Sequence, residues 1–239
     1  MEKKNRVIGI RVIDLDEVDS TNEYAKRIAP EVPEGTVVVA KRQTAGRGRR
    51  GRSWASPEGG LWLSVILKPP RLDGRLVFVG ALAVSDTLAD FGIPSGIKWP
   101  NDVWAGGKKI SGVLTEGKAG EYTVLGIGLN VNNPLPEELR ESATAMVNFI
   151  GARVPLERVL ERLLFHLDGW YRVFLEMPEL MMAKVRERTF ILGRTVRVIE
   201  DDNVLIGRAV DVLDDGSLLL DIGGQLRRVL YGDVSLRFL

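Results

Sequence analysis

Four arginines, Arg47, Arg49, Arg50 and Arg52, stand within six positions, interleaved with Gly46, Gly48 and Gly51 and followed by Trp54. Each glycine in a helix interior costs about 1 kcal/mol relative to alanine, so the segment reads as a flexible loop. Guanidinium forks match phosphate and carboxylate oxygens two at a time. The loop is therefore suited to something anionic: a nucleotide, a nucleic acid or, in the blandest case, only solvent.

Three further segments carry candidate chemistry. Lys98-Trp99-Pro100-Asn101-Asp102 projects a lysine, an amide and a carboxylate from a turn braced by tryptophan and proline. An Asn-Asp pair is also ordinary turn chemistry. In Gly106–Glu116, Lys108 and Lys109 enter a predicted strand, and alternation sends them to opposite faces, so one of them serves a site. Gly126-Ile127-Gly128-Leu129-Asn130 offers glycines where a ligand can approach the backbone, with Asn130 on the face of Gly126 and Gly128. A glycine-containing core strand is an equal reading of that segment.

Composition narrows the classes. Among 239 residues, Lys+Arg (33) and Asp+Glu (32) nearly cancel, which argues against a general nucleic-acid binder. The absence of cysteine excludes disulfides, thiolate metal sites and a cysteine nucleophile. His166 is the only histidine, and in Leu163–Leu167 it reads as a partly buried helix residue rather than a ligand or catalytic base. No apolar run approaches the ~20 residues needed to span a bilayer, and the basic start lacks the form of a signal peptide. A cytoplasmic protein with no membrane and no nucleic-acid partner is the expectation.

The elements that must position these residues follow from pattern. Val7–Ile13 is strand-like. Ser20 and Glu23 have capping-box spacing and open a helix that Pro30 and Pro33 stop. Thr36–Ala40 and Leu61–Leu67 read as strands on either side of the arginine loop. Leu76, Val79, Ala83, Leu88 and Phe91 fit a helix over the sheet. Strands are expected at Lys109–Gly117 and Tyr122–Val131, and a long amphipathic helix at Leu156–Glu176. After Thr189, short strand-like runs alternate with Asp201-Asp202-Asn203, Asp214-Asp215-Gly216 and Gly223-Gly224 turns. The expected organisation is α/β (α+β): residues 1–188 as a mixed, largely antiparallel sheet with helices on one side, and residues 189–239 as a small SH3-like β-barrel.

The motifs in this order resemble the biotin–protein ligase family. The resemblance is carried by Ser20-Thr21-Asn22, Gln43 to Arg52, Lys98 to Asp102, Lys109 to Glu116 and Gly128-Leu129-Asn130, and it covers nearly the whole chain. It implies a class II synthetase-like biotin–lipoate ligase fold. It also implies ATP-dependent formation of biotinyl-5'-AMP, then biotin transfer to a lysine of a biotin carboxyl carrier protein, such as that of acetyl-CoA carboxylase. The first family motif falls within 20 residues of the start, so a monofunctional member lacking the N-terminal DNA-binding domain is expected.

By that resemblance, Lys109 and Arg49 are the catalytic candidates. Ser20, Thr21 and Gln43 would bind the polar head of biotin, with Asn22 ordering the turn. Gly46, Arg47, Gly48 and Arg49 would fold over biotin and adenylate, and Lys109 would sit beside the carboxylate. Arg47, Arg49, Trp54, Asn101, Asp102, Lys109 and Asn130 would line the ATP side. Mg2+ is expected with ATP, with Asp102 as the candidate ligand. Family members include monomers and homodimers, so a homodimer is one allowed state. A lipoate ligase is disfavoured by the arginine loop and the Lys98–Asp102 segment, and an octanoyltransferase by the missing cysteine.

Overall fold

The computed structural model describes residues 6–69, 73–200, 203–230 and, for the backbone alone, 233–236. The chain runs β1 (Val12–Val18), α1 (Thr21–Ile28), β2 (Val37–Gln43), β3 (Leu61–Leu67), α2 (Leu76–Asp90), β4 (Gly96–Lys98), β5 (Asp102–Ala105), β6 (Lys108–Lys118) and β7 (Tyr122–Leu129). Helices α3 (Val147–Ile150), α4 (Leu156–Glu176) and α5 (Pro178–Arg188) follow. The tail adds β8 (Thr195–Glu200), β9 (Asn203–Val212), β10 (Leu218–Ile222), β11 (Gln225–Val229) and β12 (Asp233–Leu236).

Strands β1 to β7 form one sheet in the order β1-β2-β3-β7-β6-β5-β4. β1 and β2 pair in parallel, across α1, and the other neighbours are antiparallel. The two faces of β7 differ because side chains alternate. Leu125, Ile127 and Leu129 turn into the core with Leu63, Val65 and Val113, beneath α2 and α4. Gly126 and Gly128 face the other way. In register with them stand Ser64 and Trp62 on β3, and Leu114 and Gly112 on β6.

Helices are not confined to one side of this sheet. At the β2–β3–β7 end of the glycine-bearing face, Val38, Ile66 and Val124 are apolar and need cover. Ala25 and Ala29 supply it from α1 and the turn after it. The remainder of that face lies under the arginine loop.

The start also differs from expectation. Val7 and Ile8 are not in a strand: Gly9 adopts a left-handed φ of 84°, and both preceding amides donate to Asp168 Oδ1 of α4, at 2.7 and 3.0 Å. The strand begins at Val12 and is an edge strand studded with Asp14, Asp16 and Glu17, a composition that discourages edge pairing.

Strands β8 to β12 form a five-stranded sheet in the order β11-β10-β9-β8-β12. The expected barrel does not close, since β11 and β12 lie at opposite ends of that order and do not pair among the described residues. The physical reason is where the apolar side chains go. Val196, Val198, Ala209, Val212, Leu218 and Leu220 join the same continuous core as Phe78 of α2 and Met181 and Val185 of α5. The larger body serves as the second layer, and β11, with only Val229 buried, has little to close upon.

Candidate active site

The start of α1 builds one end of the site. Ser20 occupies the N-cap with extended backbone, φ −154° and ψ 133°, yet its side chain makes no capping bond. The expected capping box does not form, because other groups do its work. Gln43 Oε1, at the end of β2, accepts the Thr21 amide at 2.8 Å and the Thr21 hydroxyl at 3.1 Å. Asp19 Oδ1 accepts the Ser20 amide at 2.8 Å. The Arg27 guanidinium, and after it that amide, hold the Asp19 carboxyl below the usual carboxylate range. Glu23 is drawn instead to Lys26 and Arg47, both at 2.6 Å.

Below Thr21 the polar network continues into the sheet. Ser64 Oγ lies 2.8 Å from Thr21 Oγ1 and 2.6 Å from Asn22 Oδ1. Asn22 Nδ2 donates to Glu116 at 2.9 Å. Thr21, Asn22 and Ser64 are all buried, so their side-chain polar atoms need these partners.

The arginine loop is a hairpin. Arg47 bridges to Ser53, the Gly48 amide donates to the Arg52 carbonyl at 2.7 Å, and the Trp54 amide donates to the Gly46 carbonyl at 2.8 Å. Arg50 takes left-handed φ and ψ of 54° and 40° at its tip. Gly46 lies behind the wall rather than on it: a Cβ there would stand 2.4 Å from the Trp54 carbonyl oxygen. Arg47 forks between Glu23 (2.6 Å) and Glu116 (2.9 Å). Arg49 donates to Asn101 Oδ1 at 3.1 Å, and Asn101 Nδ2 donates to the Val113 carbonyl at 2.9 Å, which fixes that amide.

The two lysines of β6 part as alternation requires. Lys108 donates outward to the Arg140 carbonyl at 2.6 Å. Lys109 points inward, its Nζ 2.7 Å from Asp102 Oδ1 and 5.0 Å from the centre of the Trp54 ring. A bulge between Val103 and Trp104 sets this register.

The glycines of the sheet face prove to admit the protein's own side chains. A Cβ on Gly128 would lie 2.5 Å from Trp54 Nε1, and one on Gly126 would lie 2.1 Å from Asn22 Oδ1. Trp54 Nε1 is buried with no hydrogen-bond partner among the described residues.

Two adjoining cavities result, of about 180 and 320 Å³. The first is lined by Ser20, Thr21, Asn22 and Gln43 at one end and by Arg47, Gly48, Arg49 and Asn101 at the other. The second runs beneath Trp104, Leu135 and Leu139. Trp54, Asp102 and Lys109 line both. Asn130 is buried on the wall of the second, its amide committed to Thr144 and Asn133 at 3.1 Å each. Glu23, Ser56, Ser64 and Glu116 were not among the expected site residues. Glu116 lies 69 residues from Arg47 and 94 from Asn22, so no local pattern announces those contacts.

Among the described residues, no group of three His, Cys, Asp or Glu side chains is arranged to hold a metal ion. The one carboxylate lining the cavities, Asp102, is engaged by Lys109. This donor set does not build a resident metal centre. No described helix is long and apolar enough to cross a membrane.

The cleft thus pairs a neutral polar end with a cationic one on the glycine-bearing face of a largely antiparallel sheet. Residues 15–132 match the biotin/lipoate A/B protein ligase family, and residues 191–237 match the biotin protein ligase C terminal domain. The biotin--[acetyl-CoA-carboxylase] ligase of Mycobacterium tuberculosis is 37% identical over 211 residues, covering 84% of this chain and 79% of that one. The bifunctional ligase/repressor BirA of Bacillus subtilis is 39% identical over 185 residues. That match takes in 72% of this chain but 57% of the relative's length. A biotin protein ligase from Aquifex aeolicus, solved in complex with biotin and ATP, superposes with a TM-score of 0.86 at 36% identity, over 95% of this chain and 99% of that one. The chain belongs to the biotin protein ligase family.

Proposed function

We propose that this chain activates biotin with ATP and transfers the biotinyl group to a lysine of a biotin carboxyl carrier protein. The observation that carries the reading is the position of Lys109, where the two cavities meet beneath the arginine hairpin. The name of the M. tuberculosis relative and the ligands of the A. aeolicus complex support it.

In the first step a biotin carboxylate oxygen bonds to the α-phosphorus of ATP. The bond to the bridging oxygen breaks, and its electron pair leaves on diphosphate. In the second, the carrier's lysine amine bonds to the acyl carbon of biotinyl-5'-AMP. AMP departs with the electron pair, and the amine proton passes to solvent. Neither step needs a covalent enzyme nucleophile, in keeping with a chain that has no cysteine. Both need positive charge where two anions meet and where diphosphate departs.

Ser20, Thr21 and Gln43 hold the head of biotin, and Asn22 keeps that end ordered through Ser64 and Glu116. Lys109 exchanges Asp102 for the carboxylate and α-phosphate. Arg47 and Arg49, carried on Gly46 and Gly48, close over the adenylate and exclude water from the anhydride. Trp54, Asn101, Asp102 and Asn130 shape the nucleotide side. Mg2+ enters with its substrate as MgATP, held mostly by phosphate and water. Among the described residues Asp102 is the only carboxylate lining the two cavities and would be the one to reach it.

The test is direct. The purified chain, biotin, ATP, Mg2+ and a carrier domain are combined and the carrier is weighed by mass spectrometry. Addition of one biotinyl group to a single lysine is expected. An unmodified carrier, with no biotin-dependent diphosphate exchange, removes the reading.

A further inference from the structure

The hydrogen bond that ties the cavity wall to the C-terminal sheet crosses 117 residues. Trp99, 1% exposed, donates its indole N–H to the Gly216 carbonyl at 2.8 Å. Trp99 belongs to the same short turn as Asn101 and Asp102, and those two side chains hold Arg49 and Lys109 respectively. The turn between β9 and β10 thus touches the wall two residues before Asn101 and three before Asp102, the groups that position both cations.

That turn is rigid. The Leu213 amide donates to the Ser217 carbonyl, and the Gly216 amide to the Leu213 carbonyl, both at 2.8 Å. Asp215 Oδ1 accepts the Ser217 hydroxyl at 2.6 Å. It is also gripped from the body: Arg75 donates to the Asp214 carbonyl at 3.1 Å, and Arg186 to the Val212 carbonyl at 2.7 Å. Gly216 has a left-handed φ of 86°, and a Cβ on it would lie 3.0 Å from Phe78. Its carbonyl therefore has one orientation. On the far side of the wall, the Val113 amide donates to the Asn101 carbonyl at 2.9 Å, so displacement of the wall is felt in β6.

We infer that the 213–217 turn of the C-terminal sheet is a positioning element for the site, acting through Trp99 on Asn101 and Asp102. Trp99 is a positioning residue: it lines the first cavity from behind while its N–H faces away to Gly216. The inference rests on the ligase reading for its kinetic consequence. The mechanical linkage itself is measurable without substrate.

Two variants approach the bond from opposite ends. Trp99→Phe keeps an aromatic ring and deletes the donor. Gly216→Ala leaves the cavity chemistry untouched and displaces the acceptor. Trp170→Phe is the control, because it deletes an indole bond of similar kind, to Asp86 at 2.6 Å, away from the cavities. Hydrogen exchange at the Val113 amide is expected to quicken about tenfold in Trp99→Phe and in Gly216→Ala, and to stay unchanged in Trp170→Phe.

In biotin-dependent diphosphate exchange, each of the first two variants should lose about tenfold in kcat, with the biotin dissociation constant held within twofold. Their combination should lose no more than the worse of the two, since both break one linkage. Unchanged Val113 protection in folded Trp99→Phe overturns the inference, whatever the activity. Losses that multiply in the double variant overturn it as well. Coupled loss of protection in a chain that performs no diphosphate exchange keeps the linkage and sinks the ligase reading instead.

Discussion

At the Ser20 end of the cleft, Thr21, Gln43 and Ser64 meet through neutral hydrogen bonds. At the Lys109 end, cations rest on the protein's own carboxylates. Thr21, Gln43 and Ser64 satisfy one another within 3.1 Å. Lys109 instead sits 2.7 Å from Asp102, and between the two ends Arg47 forks to Glu23 and to Glu116, which also accepts from Asn22. The neutral end is preformed, so a guest adds bonds to a finished scaffold. The charged end must trade partners, because any anionic guest there displaces an internal carboxylate. One end is therefore suited to recognition and the other to chemistry.

Removing the charge at the chemical end should have the largest effect. Lys109→Ala is expected to slow biotin-dependent diphosphate exchange about 10²- to 10³-fold while biotin affinity, by calorimetry, changes little. Equal losses in both would erase the distinction between the ends. Gln43→Ala should do the reverse, weakening biotin roughly 10- to 100-fold, with turnover at saturating biotin kept within a few-fold. A variant that binds biotin normally would place recognition elsewhere.

Arg49→Gly cuts the tie between hairpin and Asn101. Retention of biotinyl-5'-AMP should shorten about tenfold, with lysines of bystander proteins becoming labelled. Wild-type retention in rapid filtration counts against closure. The smallest effect belongs to a background control. Arg162, and then His166, hold the Asp90 carboxyl below the ordinary carboxylate range. A depressed folded pKa stabilises above the unfolded value and loses that contribution as pH falls through the folded one. Asp90→Asn should thus be less stable than the parent at pH 7 by about 1 kcal/mol or less, with the gap closing below pH ~4. Denaturant titrations across that range check it.

The sequence made the strands flanking the arginine loop readable, because Val37 to Ala40 is a continuous apolar run and Leu61 to Leu67 is apolar but for Ser64, both buried in the sheet. The opposite directions of Lys108 and Lys109 followed from alternation alone. Strands β4 and β5, of three and four residues around a Trp-Pro turn, carry too few positions for a period to emerge. Helix α5 escaped because it begins at Pro178, immediately after the one-residue break at Met177. Capping-box spacing at Ser20 misled, since Gln43, 22 residues on from Thr21, caps the helix in its place. The glycines invited a ligand in the sequence, and tertiary packing gave that space to Trp54 and Asn22.

The two bonds that Gln43 accepts from Thr21 have a consequence for what its carboxamide can offer. Both lone pairs of Oε1 are spent on the helix start, and one hydrogen of Nε2 goes to Ser56 at 2.7 Å. A single N–H is left over. The side chain can therefore give a hydrogen to an occupant but cannot take one, so whatever nests against it must present an oxygen or another lone pair, and a cationic ring analogue is turned away by polarity before its size is ever tested.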